Sequence, residues 1–348
     1  MATNHVITFF HRPINHALSD QVINRDMDII TVPFAEPWPD PSALQQHPLY
    51  GATLRSLGGT VKTIGLRHSG DTLAQAQVIT RRFAPFSQLS LISRGPLWLA
   101  NTTAKTRAEA LGHILRATSP NALSATVCNA ETPVHDALCR DAGMLRLITP
   151  QHIAEIDLTS DGPTRRAAMH GKWRNRLAHA ENAGLKISRT TMPDDPNHWL
   201  LRAEATQRRR RGYSALPDHF TLAYARLHPH QTALFTASHN GTVMAAMLFL
   251  LHPPGATYHI GHTSDRGRDR SAHNLILWQA TQWLANQGIK QLDLGIVDTQ
   301  AASGLARFKL GSGARLRSLG ATWLYFPPIA ALARANIRAP ALIARKTR

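Results

Sequence analysis

Side chains able to move a proton or stabilise an anion are concentrated late in the chain. Lys309 follows Phe308 in a predicted short helix, and a lysine there could meet a phosphate or a developing oxyanion. Asp293 and Asp298 bracket the end of a predicted strand, where a carboxylate could accept a proton or bind an ammonium group. His262 lies in an earlier strand, and imidazole titrates near neutral pH. We predict a reaction centre that contains Lys309, Asp293 and His262.

Each of these residues also has a structural interpretation. A lysine is commonly a solvated surface residue, and an aspartate at the end of a strand commonly caps a turn. The chain has 19 histidines, so a single one is often incidental. Alternation along the strand places His259 on the opposite face from His262, so at most one of the two faces a given cleft.

Arginines gather at the predicted start of a long helix over residues 271–287. The start of a helix offers unpaired N–H groups, and arginine binds phosphate through paired hydrogen bonds. The predicted phosphate-binding side chains are Arg266, Arg268, Arg270, Ser271 and Asn274. A solvated basic loop is the alternative interpretation.

The elements that position these residues alternate between strands and helices. The first half mixes short strands with two helices, and an Asn-Gly pair at 240–241 predicts a hairpin in the second half. A single helix is predicted over residues 165–182, where apolar residues recur at helical spacing. In the second half, the pattern predicts the order helix, strand, helix, three antiparallel strands, helix, strand, helix and strand. Such an α/β (α+β) layout places a substrate where two neighbouring strands splay apart, beside the start of the following helix.

Charge divides the chain into two unlike halves. The 348 residues carry a net charge of +17, but residues 1–164 hold 13 basic and 13 acidic side chains. The whole excess therefore lies in residues 165–348, which predicts a polyanionic partner or an anionic substrate for that half. The two cysteines lack the spacing of a metal site, and we predict no metal. The N-terminal residues lack the pattern of a signal peptide, and the longest apolar run has nine residues, too few to cross a bilayer. The sequence therefore predicts a cytoplasmic protein.

Several segments resemble one known family. WRNRLAHAENAGLKI at 173–187, the stretch 261–295, and GLARFKLGSG at 304–313 resemble the FemAB-like branch of the GNAT acyltransferases. RGPLWL at 94–99 resembles an element of that family's first domain. The resemblance implies two tandem GNAT-like domains, each a mixed, mostly antiparallel twisted sheet flanked by helices. We place them at 1–163 and 164–328, followed by a basic tail at 329–348.

The resemblance also implies an activity and several site residues. The best-known members transfer an amino acid from aminoacyl-tRNA to an amine of a peptidoglycan precursor, and they carry an important lysine at the position of Lys309. The first domain would then contribute to acceptor binding and the second would hold the donor, with no tightly bound cofactor. On the donor side the matching positions add Phe308, Gly311 and Gly313, with Phe308 orienting the lysine.

Four residues are predicted to contact the acceptor. Arg94 resembles a loop residue that faces the acceptor in the family, and Arg176 belongs to a basic wall beside Trp173. Tyr213 follows four adjacent arginines, where either base stacking or plain contact with a polyanion is possible. The predicted acceptor-binding residues are Arg94, Trp173, Arg176 and Tyr213.

Two departures from the pattern leave the donor open. The chain lacks sustained heptads, so it resembles members without a coiled-coil arm. The coenzyme A loop of ordinary GNAT enzymes has two small residues, and Ser271 and His273 stand at those positions after Arg268. We therefore expect either aminoacyl-tRNA or acyl-CoA as the donor, with the basic second half favouring tRNA.

Three functions stay open from the sequence. The first is aminoacyl or acyl transfer to an amine of a cell-wall precursor. The second is acyl-CoA-dependent N-acyl transfer to a sugar, lipid or small-molecule amine. The third is a non-catalytic adaptor for nucleic acid or a membrane surface. The basic tail at 329–348 is a candidate for peripheral contact with the inner membrane face, and a frayed tail is the alternative.

Overall fold

The computed structural model describes residues 27–31, 42–68, 70–100 and 102–330, which form two sheets covered by helices. The strands of the first sheet are β1 (Met27–Thr31), β2 (Thr60–His68), β3 (Asp71–Ala84), β4 (Ser87–Ser93), β5 (Leu97–Trp98), β6 (Ala125–Asn129), β7 (Leu145–Ile148) and β15 (Thr322–Tyr325). Their order is β1-β2-β3-β4-β6-β15-β7, with β5 beside β3. Strands β4 and β6 pair in parallel, and the other neighbours pair antiparallel.

The second sheet has seven strands. They are β8 (His152–Asp157), β9 (Lys186–Thr190), β10 (Thr232–His239), β11 (Thr242–His252), β12 (Gly255–Thr263), β13 (Gln291–Ile296) and β14 (Arg315–Ser318). Their order is β14-β8-β13-β12-β11-β10-β9, in which β12 and β13 are the parallel pair.

Helices cover both sheets. The first sheet carries α1 (Pro48–Ser56), α2 (Ala104–Thr118) and α3 (Val134–Asp141). The second carries α4 (Gly162–Ala167), α5 (Gly171–Glu181), α6 (Trp199–Arg211), α7 (Asp218–Leu227), α8 (Asp265–Asp269), α9 (Ala272–Asn286) and α10 (Ser303–Gly311). We refer to each sheet with its helices as the first and the second unit. The predicted fold class, two mixed and mostly antiparallel sheets flanked by helices, is confirmed.

The two units exchange strands. Strand β8 precedes residue 163, yet it pairs with β13 and β14 in the second sheet. Strand β15 follows the whole second unit, yet it pairs with β6 and β7 in the first sheet. Sheet membership therefore divides the chain at about residues 149–151 and 319–321, whereas the domain boundaries at 163 and 328 stay a prediction. The predicted tail at 329–348 lies almost entirely outside the described residues.

Local sequence explains some of these elements. Asn240 and Gly241 have φ of +49° and +76° between β10 and β11, so the predicted Asn-Gly hairpin is confirmed. The single helix predicted over 165–182 is wrong, because α4 and α5 are separate helices. The side chain of His170 accepts the backbone N–H of Lys172 and caps the start of α5, which breaks the run.

Apolar packing joins the two units. Leu44 and Tyr50 of the first unit share a buried cluster with Phe220, Tyr224 and Leu250 of the second. The rings of Tyr50 and Phe220 lie 5.1 Å apart, and the Tyr224 hydroxyl donates to the Leu251 carbonyl at 2.6 Å. A buried interface of this kind holds the units in one orientation, so side chains from both can build a single site.

Within the ranges above, no helix is long and apolar enough to cross a bilayer. Cys128 and Cys139 are buried free thiols. The same ranges hold no group of three or more His, Cys, Asp and Glu side chains able to bind a metal ion.

Candidate active site

The second sheet opens between its two parallel strands. Strands β12 and β13 pair only from Gly255 opposite Gln291 to Thr257 opposite Asp293. Beyond this point β12 runs on to Thr263 and β13 to Ile296 without pairing to each other. Helix α9 starts shortly after β12, so the opening lies beside a helix N-terminus, as the order of elements predicts.

Lys309 reaches the open end of β13. Its side chain in α10 is 5% exposed, and Nζ donates to the Ile296 carbonyl at 2.7 Å. Gly295 has a φ of +77°, and a Cβ built there would lie 3.7 Å from Nζ. Burial lowers the pKa of Lys309 from 10.5 to about 8, against the opposing effect of Asp293. Roughly a fifth of this amine is therefore neutral at pH 7.4, and the ammonium form predominates.

Asp293 is held by contacts on both carboxylate oxygens. Its Oδ1 accepts the backbone N–H of Gly295 at 2.6 Å, and its Oδ2 lies 2.5 Å from Nη1 of Arg94. The aspartate is 8% exposed, and Arg94 belongs to the first unit. The carboxylate that raises the pKa of Lys309 is thus held in place by a residue of the first unit.

Arg94 belongs to a larger network of ion pairs. Its Nε and Nη2 donate to the two carboxylate oxygens of Glu131 at 2.8 and 2.9 Å. Arg317 donates to Glu131 at 2.6 Å and to Glu155 at 2.7 and 2.8 Å. Arg94 and Glu131 come from the first unit, while the other members come from the second. Neighbouring carboxylates raise the pKa of both guanidiniums although burial opposes this, so both stay charged.

Sequence reasoning missed three members of this network, Glu131, Glu155 and Arg317. Two guanidiniums face three carboxylates there, so the network has one excess carboxylate. Glu155 gave a usable signal, because it interrupts β8 between the buried residues Ala154 and Ile156. A charged residue on an otherwise apolar strand commonly has a buried partner.

His262 lies on the side of the sheet that carries α6. Its ring meets the edge of Trp199 with centroids 6.1 Å apart, and its carbonyl is 2.9 Å from Nε2 of His273. Burial and Arg268 lower the pKa of His262, and its Nδ1 is buried without a partner. Among the described residues, no hydrogen bond joins His262 to Lys309 or Asp293. Its catalytic role stays a prediction.

The predicted phosphate-binding arginines surround α8. Arg266 and Arg268 are exposed, and Arg270 is half-buried. Arg268 pairs with Asp265 and donates to the Thr263 carbonyl at 2.9 Å. Arg266 and Arg268 thus lie in α8 and Arg270 directly follows it, so all three precede the start of α9.

The first turn of α9 departs from an ordinary helix start. Ser271 has a φ of +52°, and its side chain makes no capping hydrogen bond. Asn274 is 5% exposed, and its amide nitrogen is buried without a partner. His273 packs against Phe308 with ring centroids 6.1 Å apart, and burial lowers its pKa to about 4. A neutral, half-buried imidazole therefore occupies the start of this helix.

Residues beside Lys309 serve packing. Trp173 is 5% exposed, and its Nε1 donates to the Phe308 carbonyl at 3.0 Å. A Cβ at Gly311 would lie 2.9 Å from Cδ1 of Trp173, so a glycine is needed for this close approach. Gly313 has a φ of +89°, which favours glycine. These contacts orient α10 and hence Lys309, and donor binding by Phe308, Gly311 and Gly313 stays a prediction.

The remaining predicted residues lie in different settings. Arg176 is exposed on α5, and the Tyr213 hydroxyl donates to Glu204 at 3.2 Å. Arg94 forms ion pairs with Glu131 and Asp293, so an acceptor that contacts Arg94 would lie next to the ion-pair network. Asp298 accepts hydrogen bonds from the backbone N–H groups of residues 300 and 301 at 2.8 Å. It therefore caps a turn, which is the structural interpretation given above for an aspartate at the end of a strand.

The second unit matches a known family of enzyme domains. Residues 166–310 match the model of the acetyltransferase (GNAT) domain. No curated protein matches the chain.

Solved structures share the fold over most of the chain. The structure of FemX aligns with a TM-score of 0.68 at 12% identity, covering 83% of this chain and 94% of that one. A tandem GNAT protein from the clavulanic acid biosynthesis pathway aligns with a TM-score of 0.52 at 10% identity, covering 86% and 98%. The C-terminal domain of a lysylphosphatidylglycerol synthetase candidate from Agrobacterium fabrum gives 0.51 at 14% identity, covering 88% and 95%. Residues 166–310 therefore match an acetyltransferase (GNAT) domain, and the chain shares its fold with a tandem GNAT protein.

Proposed function

We propose that the protein is an N-acyltransferase that moves an aminoacyl group from aminoacyl-tRNA to an amine, with Lys309 at the reaction centre. The observation that carries this proposal is the buried Nζ of Lys309 at the open end of β13. An amine buried there, with a pKa of about 8, can act as a proton donor or acceptor near physiological pH.

The chemistry requires little more than positioning and charge. The acceptor amine attacks the ester carbonyl, a C–N bond forms, and the C–O bond to the carrier breaks. The proton lost by the amine passes to the leaving oxygen, which departs as a hydroxyl. In this proposal Lys309, as an ammonium, stabilises the oxyanion of the tetrahedral intermediate and donates the proton to the leaving oxygen.

Burial and Asp293 act in opposite directions on the charge of this lysine. Burial, the larger effect, favours the amine, while the Asp293 carboxylate favours the ammonium form. Because the guanidinium of Arg94 fixes Asp293, the carboxylate keeps its place relative to Lys309 during turnover. The first unit thereby contributes to the reaction centre.

Two features support aminoacyl-tRNA as the donor. His273 stands where the coenzyme A loop has its second small residue, and its half-buried ring packs against Phe308 at the first turn of α9. Exposed Arg266 and Arg268, with the basic charge of the second half, suit a carrier that bears many phosphates.

Acyl-CoA is the second candidate donor. The matched family model is that of an acetyltransferase domain, and the opening between β12 and β13 leads to the start of α9. Ser271 has a φ of +52°, a conformation that glycine adopts most readily, so the backbone there suits the small residue that the loop calls for. A non-catalytic adaptor is not favoured, since the matched domain is enzymatic and Lys309 is buried.

An amine of a cell-wall precursor is the acceptor that we propose, and a sugar, lipid or small-molecule amine is the alternative. A lipid-linked acceptor would bring the protein to the inner membrane face. Arg176 and Tyr213, which retain exposed surface on the second unit, are the residues proposed to contact this acceptor alongside Arg94.

A donor screen tests the proposal. Purified protein is incubated with radiolabelled aminoacyl-tRNA or with acyl-CoAs and a panel of amines, and transfer of label is measured. Lys309→Ala should lose at least about a hundredfold in rate. Arg307→Ala, on the exposed face of the same helix, is the matched control and should retain activity. Turnover with acyl-CoA, without any consumption of aminoacyl-tRNA, would overturn the proposed donor.

A further inference from the structure

Large apolar side chains project from one end of the first sheet. The tip of the β3–β4 hairpin carries Phe83 and Phe86, which are 62% and 73% exposed. Strand β2 begins at this end, since Thr60 pairs with Thr80, and the turn before it carries Leu57 at 41% exposure. Strand β6 also begins here, and the preceding turn presents Leu123 at 64% exposure. We call the surface formed by Leu57, Phe83, Phe86 and Leu123 the hairpin surface.

In the described segments that build the hairpin surface, the charged residues are all basic. Arg81 and Arg82 lie exposed in the hairpin, Arg55 in the last turn of α1 and Arg116 in the last turn of α2. The described segments 53–62, 79–90 and 113–127, which build this end of the sheet, contain no Asp or Glu. Residues 1–164 as a whole are electrically neutral, so this local excess is a property of the surface itself.

The hairpin surface is separate from the candidate active site. Strand β4 runs from Ser87, at the hairpin, to Ser93, which is roughly 20 Å at about 3.3 Å per residue. Arg94 follows Ser93 at the far end of this strand. The folded core does not need the two phenylalanines either, since most of each side chain faces solvent. Burying such side chains against a partner is favourable in proportion to the apolar area removed from water.

We propose that the hairpin surface docks on an anionic lipid bilayer, with Phe83 and Phe86 inserted at the level of the headgroups. Aromatic rings and long cationic side chains suit the boundary between hydrocarbon and headgroups, because each has an apolar body and a polar or charged end. Arginines beside them attract anionic headgroups. The guanidinium of Arg81 already covers the ring of Phe83 at 5.4 Å, which leaves that face closed to a stacking nucleobase.

The full chain tests this proposal with vesicles of phosphatidylcholine, with and without phosphatidylglycerol. Binding should require phosphatidylglycerol and weaken as salt is raised. The double variant Phe83→Ser with Phe86→Ser should lower the partition coefficient roughly a hundredfold, at about tenfold per ring. Arg81→Gln with Arg82→Gln should lower it by about tenfold or more. Val134→Ser, which removes a 74% exposed apolar residue from α3, is the matched control and should bind as the wild type does.

Several results would overturn the docking site. Equal binding by the wild type and the phenylalanine variant would mean that another part of the chain contacts the membrane. Absence of binding to anionic vesicles, or loss of tRNA binding by the phenylalanine variant alone, would also refute it. Light scattering that finds a wild-type dimer and a monomeric variant would identify a second copy as the occupant. Circular dichroism and a thermal melt establish that the variants are folded, and transfer to a soluble amine should be unchanged in all of them.

Discussion

Replacing Lys309 with methionine should increase the stability of the protein relative to wild type by more at neutral pH than at high pH. Burial lowers the pKa of this lysine from 10.5 to about 8 in the folded state, while the unfolded chain keeps the ordinary value. Between these two pKa values the unfolded state binds more protons, so the stability of the wild type rises with pH. The cost of burying the ammonium is thus fully present below pH 8 and is relieved as the pH rises through the folded pKa toward 10.5.

The size of the effect follows from the two pKa values. A shift from 10.5 to about 8 corresponds to about 3 kcal/mol at low pH, at about 1.4 kcal/mol per unit. Most of this, about 2 to 3 kcal/mol, is relieved between pH 7 and pH 10 when both titrations are included. The methionine variant lacks this contribution, because its side chain does not titrate. Other groups that titrate in the same range contribute equally to both proteins and cancel in the difference.

Urea unfolding at pH 7 and pH 10 measures this difference directly. The free energy of unfolding of the wild type should gain about 2 to 3 kcal/mol over that of Lys309→Met between the two pH values. Lys172→Met, at an exposed position of α5, is the matched control and should change stability by less than about 0.5 kcal/mol. A difference between wild type and Lys309→Met that stays constant with pH would refute the argument that the lysine is desolvated.

Three further perturbations address the surroundings of Lys309. Arg94→Met removes the partner of Asp293 and Glu131, and it should destabilise the fold by about 3 kcal/mol or more in urea unfolding; an unchanged midpoint would argue against the network. Asp293→Asn removes the carboxylate that raises the pKa of Lys309, so the limb of the pH–rate profile that reports this lysine should move to lower pH, and a shift to higher pH would contradict the assignment. Gly295→Ala forces a side chain into a φ of +77°, which should cost about 1 kcal/mol or more and lower kcat, as thermal unfolding and rate measurements would reveal.

Elements specified by neighbouring residues were predictable from the sequence. The Asn240–Gly241 hairpin needs only two residues that accept positive φ between apolar runs, and the structure has it. The opening between β12 and β13 followed from the order of elements, because a parallel pair requires a long connection that places α9 beside it. Lys309 was identified through the resemblance of its segment to a known family and not through its burial, which local sequence does not encode.

Contacts between distant residues were not predictable in the same way. Arg94 meets Asp293 across 199 positions of sequence, and Arg317 meets Glu131 across 186. Seen alone, each of these residues has the pattern of a solvated charge, since only the assembled interface supplies its partner and removes its water. The exchange of β8 and β15 was missed for a related reason, because six- and four-residue strands can pair with many edges and only the complete fold selects one.

The position of β15 has a consequence for how the protein is made. Strand β15 lies between β6 and β7 and pairs with both, so the first sheet keeps a gap until residues 322–325 have left the ribosome. By then the entire second unit has been synthesised, and the N-terminal unit therefore completes its fold last. A fragment that ends near residue 150 would lack an inner strand of its sheet, and a fragment limited to 166–310 would lack both β8 and β14. The two units should consequently unfold in one cooperative transition. Neither unit is expected to fold when it is expressed on its own.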